Sequence, residues 1–149
     1  MGEDMRRLVG GTVVALALLF TSADQGHAQS YAQQVWTQLQ RMHDVVGAND
    51  FSLQNYIVGH LGEGNTDSWT FTFKANTDYI ITGACDNDCS DLDLTVKDSN
   101  GRVVEKDTTT DDVPVLRFRG NSSARYTVEV KMYSCSSAPC YFGFGVFQK

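Results

Sequence analysis

The chain has 149 residues, 42% hydrophobic and 20% charged, which is enough for one compact domain and too little for two ordinary ones. Twelve Lys and Arg stand against 18 Asp and Glu, a formal charge of −6. That sign is wrong for reading a phosphate backbone and excludes nucleic acid as a partner.

Arg6 and Arg7 precede an apolar run from Leu8 to Phe20. The run has the length of an export signal's core and falls short of the roughly 20 residues a membrane helix needs, which argues against a retained N-terminal anchor. Gly26-His27-Ala28 offers small residues to a signal peptidase. Residues 1–28 are therefore predicted to be a signal peptide, with the mature chain starting at Gln29, secreted or periplasmic and without a membrane span. Glu3 and Asp4 are unusual before such a core, so Met5 competes with Met1 as the start.

Residues 29–47 are predicted to form an amphipathic helix. Ala32, Val35, Trp36, Leu39, Met42, Val45 and Val46 recur at three- and four-residue spacing as one apolar stripe. Ser30 and Gln33 have the spacing of a capping box, and Gly47 is placed to end the helix. The polar face is rich in Gln and lacks the basic side chains of a membrane-surface helix. Its stripe has two uses open to it: packing on its own domain, or pairing with another chain.

From Phe51 the apolar period changes from 3.6 to 2. Trp69, Phe71 and Phe73 alternate with polar residues, and so do Tyr126, Val128, Val130 and Met132. Further strands are predicted at Ser52 to Leu61, Tyr79 to Ala84, Leu92 to Lys97, Arg102 to Lys106, Val113 to Phe118 and Tyr141 to Gln148, with Asn100-Gly101 as a hairpin turn. About eight strands after one helix predict an all-β sandwich or jelly roll over residues 51–149.

Cys85, Cys89, Cys135 and Cys140 are even in number in an exported chain, which predicts disulfides. Of three possible pairings, Cys85–Cys89 and Cys135–Cys140 is the expected one, each clipping a short loop beside a strand. A four-cysteine zinc site is the competing reading, against which stand spacings of C-x3-C and C-x4-C where zinc favours C-x2-C.

A family likeness is carried by short motifs: Gly59-x-Leu61-x-x-Gly64-x-x-Asp67-x-Trp69-x-Phe71-x-Phe73, Asn76-Thr77-Asp78-Tyr79, Asp91-Leu92-Asp93-Leu94, Asp98-x-x-Gly101 and Tyr126-x-Val128-x-Val130. Over roughly residues 57 to 148 the chain resembles the bacterial pre-peptidase C-terminal (PPC) domain. The resemblance implies a β-sandwich that serves secreted hydrolases as a binding or accessory unit. The chain departs from the pattern in its cysteine loops, its leading helix, and Ser123-Ala124-Arg125 where a glycine would precede Tyr126.

Between Cys85 and Asp112 nine carboxylates face three cations. Asp86, Asp88, Asp91 and Asp93 are the candidate ligands of a Ca²⁺ ion, which takes six to eight oxygens; the alternative is a solvated acidic loop. An EF-hand is excluded, since Lys97 stands twelfth from Asp86. Tyr133 and Tyr141, amid the late aromatics, are the candidate platform for a glycan or other cell-surface polymer. Neither His43 nor His60 neighbours a catalytic signature, so no enzyme is expected. The reading is a secreted, non-catalytic binding module. Its alternatives are a structural protein whose helix forms a homo-oligomer and, weakest, a small secreted hydrolase.

Overall fold

The computed structural model describes residues 23–149, with side chains from Ala28 onward. The expected signal peptide lies almost wholly outside them. Helix α1 spans Ala23–Gly47 and is followed by β1 (Ser52–Leu61), β2 (Thr66–Phe73), β3 (Asp78–Cys85), β4 (Cys89–Lys97), β5 (Val103–Asp107), β6 (Val115–Arg119), β7 (Ala124–Cys135) and β8 (Cys140–Gln148). Two four-stranded antiparallel sheets result, β1-β8-β3-β6 and β2-β7-β4-β5, so the expected helix-plus-sandwich fold is present.

Strict alternation on β7 places Tyr126, Val128, Val130 and Met132 in the core and their neighbours outside. Facing them from the other sheet are Tyr79, Ile81, Phe142, Phe144 and Val146. Phe73 closes one end of this core, its ring centroid 4.5 Å from Tyr79 and 5.3 Å from Tyr126. The Asn100-Gly101 turn forms as expected: Gly101 takes φ +77°, and the Asp98 side chain accepts from Asn100 N–H and Arg102 N–H.

Strands β3 and β8 do not alternate; both are buried nearly end to end. The cause is α1, which lies on the outer face of the first sheet, over β8, β1 and β3. A sheet covered on both faces needs apolar side chains on both. Val35 and Leu39 are buried in this contact, and Gly143 of β8 admits them: a Cβ there would stand 2.7 Å from Leu39 Cδ1 and 2.9 Å from Val35 Cγ1. Gln38 adds a hydrogen bond from Nε2 to Cys85 O, 2.8 Å.

The expected start of α1 needs correction. The helix begins at Ala23, so Ser30 lies inside it and caps nothing. The buried part of its stripe packs on its own domain, the first of the two uses left open to it. The helix does end at Gly47, but the left-handed residue that turns the chain is Asp50, φ +67°.

Candidate functional site

Both expected disulfides form, Cys85–Cys89 and Cys135–Cys140, and among the described residues no cysteine is free. The zinc reading falls with that pairing. Cys85 belongs to the first sheet and Cys89 to the second; Cys135 belongs to the second and Cys140 to the first. Each bridge therefore staples one sheet to the other, and since Cys89 stands opposite Cys135 in register, both do so at the same end of the sandwich. In a chain-entropy estimate, closing so small a loop contributes about 2 kcal/mol.

Asp86 sits between these loops, only 1% exposed. Its Oδ1 accepts from Asp88 N–H at 3.1 Å and its Oδ2 from Tyr141 N–H at 2.7 Å, while its own N–H donates to Tyr141 O at 3.0 Å. Burial pushes the Asp86 carboxyl pKa upward, and the hydrogen bonds from Tyr141, Asp88 and Cys89 oppose the rise without cancelling it. The second loop is bound to the first, because Ser136 donates to Asp88 O through both N–H (2.8 Å) and Oγ (2.9 Å). Residues 136–139 remain exposed on this fixed support.

Beside the loops lies an aromatic surface drawn from three elements. Tyr31 of α1 stacks on Tyr141 of β8, centroids 6.3 Å apart and planes 17° apart, and His60 of β1 meets the Tyr141 ring at 5.5 Å. Interaction with the Asp88 carboxylate raises the pKa of the Tyr31 phenol. Tyr31 and His60 carry no signal in the strand pattern. Their proximity to Tyr141 comes from the docking of α1 and the pairing His60↔Tyr141.

Of the two expected platform residues, only Tyr141 belongs here. Tyr133 projects from the outer face of the other sheet, 57% exposed, with Lys131 Nζ 4.7 Å from its ring centroid. The pair is split because β7 and β8 lie in different sheets and turn these residues to opposite outer faces. Phe142 and Phe144 are core residues, and Phe147 lies buried near His43 of the helix.

The four candidate calcium ligands are split as well. Asp86 and Asp88 lie on the β3–β4 side of the disulfide end, with Asp86 committed to backbone N–H groups. Asp91 and Asp93 lie on β4, 5% and 9% exposed, where burial is the main cause of their raised pKa values. Asp111 adds to the rise at Asp91, and Asp91 to that at Asp93; Lys131 opposes both. Asp91 Oδ1 is buried without a hydrogen-bond partner. Among the described residues no three His, Cys, Asp or Glu side chains are grouped to hold a metal, so the expected four-carboxylate site is not formed. His43 and His60 also stand apart: His43 Nδ1 is 3.4 Å from Asp44 Oδ1 on the exposed side of α1, whereas His60 rests on Tyr141.

No family model and no curated protein matches this chain. Among solved structures it is similar to that of Aeromonas hydrophila PliG, described as a periplasmic lysozyme inhibitor of g-type lysozyme. The identity is 12% and the TM-score 0.49, over 64% of this chain and 85% of that one. No described helix is long and apolar enough to cross a membrane.

Proposed function

We propose that this chain is an exported, non-catalytic binding module of the PPC-like sandwich kind, whose ligand meets the disulfide-braced end. The observation that carries the reading is the bracing itself: two inter-sheet disulfides and a buried carboxylate hold two neighbouring loops at one end of the sandwich. Such fixing reduces the ordering cost of recognition, which is its physical use in a binding surface. Disulfides at both loops favour an oxidising compartment, and they leave no thiol for nucleophilic chemistry. The stacked Tyr31 and Tyr141 rings put aromatic surface beside the braced loops, and aromatic surface suits contact with sugar rings, so we place a cell-surface glycan there.

The test is co-sedimentation with purified peptidoglycan sacculi. Wild type is expected to bind, and Tyr31→Ala with Tyr141→Ala to weaken binding about tenfold, as loss of a central aromatic contact does. Retained binding by the double variant rejects the aromatic surface. A g-type lysozyme, the protein named in the description of the A. hydrophila structure, supplies a separate arm; binding to it alone makes the ligand a protein.

A second reading rests on the unpartnered Asp91 Oδ1. We propose that a Ca²⁺ ion, where one binds this protein, is drawn to Asp91 and Asp93 rather than to the four-carboxylate set. A carboxyl whose folded pKa is raised destabilises the fold above that pKa, and the cost disappears below its unfolded value near pH 4. In EDTA at neutral pH, Asp91→Asn is therefore expected to raise the melting temperature, with the advantage shrinking as the pH falls. Millimolar Ca²⁺ is expected to raise the melting temperature of wild type and not of Asp91→Asn; no rise in wild type rejects the ion.

A further inference from the structure

The four edge strands of the sandwich are β1 and β6 in one sheet, β2 and β5 in the other. An open edge presents unpaired backbone N–H and C=O groups, and soluble proteins commonly guard it with charge. Three edges here follow that rule: β2 carries Asp67, β5 carries Glu105, Lys106 and Asp107, and β6 carries Arg117 and Arg119. The β5 and β6 edges are further bridged to each other, since Asp107 Oδ2 accepts from Val115 N–H at 2.9 Å.

Strand β1 breaks the rule. It is 10 residues long, Ser-Leu-Gln-Asn-Tyr-Ile-Val-Gly-His-Leu, with no Asp, Glu, Lys, Arg or Pro. Its only ladder among the described residues is with β8; its other backbone groups bonded there meet its own side chains alone, Tyr56 N–H donating to Asn55 Oδ1 at 2.8 Å and Ser52 O accepting from Gln54 Nε2 at 3.2 Å, so no second strand or loop covers the edge. Leu53, Tyr56 and Val58 are exposed along it, at 37%, 50% and 39%, and Trp36 of α1 extends the patch by packing on Tyr56 at 5.4 Å. Beside them a groove of about 290 Å³, lined by Leu39, Met42, Leu53 and Phe147 among others, opens between helix and sheet.

We propose that β1 is the surface through which two copies of this chain pair, edge to edge and antiparallel. The occupant has to supply a row of backbone donors and acceptors, and an uncharged apolar strip on the same side; a second β1 supplies both. The charge distribution favours the same partner, because a chain of formal charge −6 repels its copy least along a strand with no ionised carboxylate. A two-fold axis normal to the sheet makes such a contact isologous and closed. Centred on Ile57, it sets Tyr56 of one copy opposite Val58 of the other and joins the two β1-containing sheets into one. The same axis keeps both helices on one side of the joint sheet, so that the Trp36–Tyr56 patches meet across the seam.

Multi-angle light scattering of the protein produced with its own leader, over a concentration series into the high micromolar range, tests this. Twice the single-chain mass is expected for wild type and for Ser68→Lys on the β2 edge. Single-chain mass is expected for Val58→Lys and for Tyr56→Lys, with unchanged circular dichroism and melting of the monomeric form. Gln54→Lys, at an exposed position of β1, is the second probe should either apolar variant misfold, and it too is expected to shift the series toward single chains. A single-chain mass for wild type throughout, a pair that survives the folded β1 variants, or a pair broken equally by Ser68→Lys overturns the proposal. Sacculi binding is read separately on the monomeric variant, so failure of pairing and failure of the binding reading are told apart.

Discussion

Leu39→Ala is expected to destabilise the fold by about 2–5 kcal/mol, the range for truncating a buried leucine. Leu39 is 7% exposed and belongs to a helix held by few large side chains, with Val35 its most deeply buried neighbour on the same stripe. Gly143→Val approaches the contact from the strand side. A Cβ at 143 meets Leu39, Val35 and, at 3.1 Å, the Ile57 carbonyl oxygen, so side-chain motion alone cannot relieve all three. Overpacking of this kind costs about 1–3 kcal/mol where the surroundings give way; here α1 is expected to lift from β8. Denaturant melts followed by tryptophan fluorescence, from Trp36 and Trp69 together, check both variants. An unaltered midpoint for each shows that α1 is not docked on this sheet. The predicted consequence for function is specific: lifting α1 removes Tyr31 from Tyr141, so sacculi binding falls although neither tyrosine is altered.

What the sequence exposes and what it hides follows from which faces meet water. Strands β2 and β7 are legible because each has one solvated face, and Ser68, Thr70 and Thr127 mark it. The run Tyr-Ile-Ile-Thr-Gly-Ala-Cys in β3 carries no such mark, and neither does Tyr-Phe-Gly-Phe-Gly-Val-Phe in β8. Their lack of alternation is itself the trace of a covering helix, and Gly143 is the trace of its close approach. The helix is legible from its stripe, but its first turn is not, since Ser30 looks like a cap only when the residues before it are set aside.

The candidate site is less legible, for a topological reason. Asp86 and Asp88 are two residues apart and Asp91 and Asp93 are two residues apart, which reads as one dense cluster. Between them, however, the chain crosses from one sheet to the other at Cys89. Density along the chain is then no guide to convergence in space. Tyr133 and Tyr141 fail as a pair for the same reason, with the Cys135–Cys140 crossing between them. The residues that do meet, Tyr31, His60 and Tyr141, are far apart in sequence and are brought together by one strand register and one helix contact.

Asp86→Ala is expected to cost about 2–4 kcal/mol and to loosen the braced end as a unit. The substitution leaves the Tyr141 and Asp88 N–H groups without their acceptor, and an orphaned buried donor costs about 1–3 kcal/mol. Relief of the buried charge offsets part of this, because the raised Asp86 pKa means that the fold disfavours the ionised form. The sign of the pH dependence follows. Between the ordinary carboxylate pKa near 4 and the raised folded value, the native state holds the proton that the unfolded state has lost. Wild-type stability therefore gains an Asp86 contribution as the pH falls through that window, and Asp86→Ala loses this share of the slope. Asp86→Asn keeps one acceptor and is expected to fall between the two at neutral pH. Hydrogen exchange at the Tyr141 and Asp88 amides separates a local from a global effect: the prediction is that exchange at both speeds up in Asp86→Ala by more than at the β7 core amides of Val128 and Val130, which follow the new global stability. Equal protection of Tyr141 in wild type and Asp86→Ala shows that the carboxylate does not hold the loops, and the preorganised binding surface loses its support.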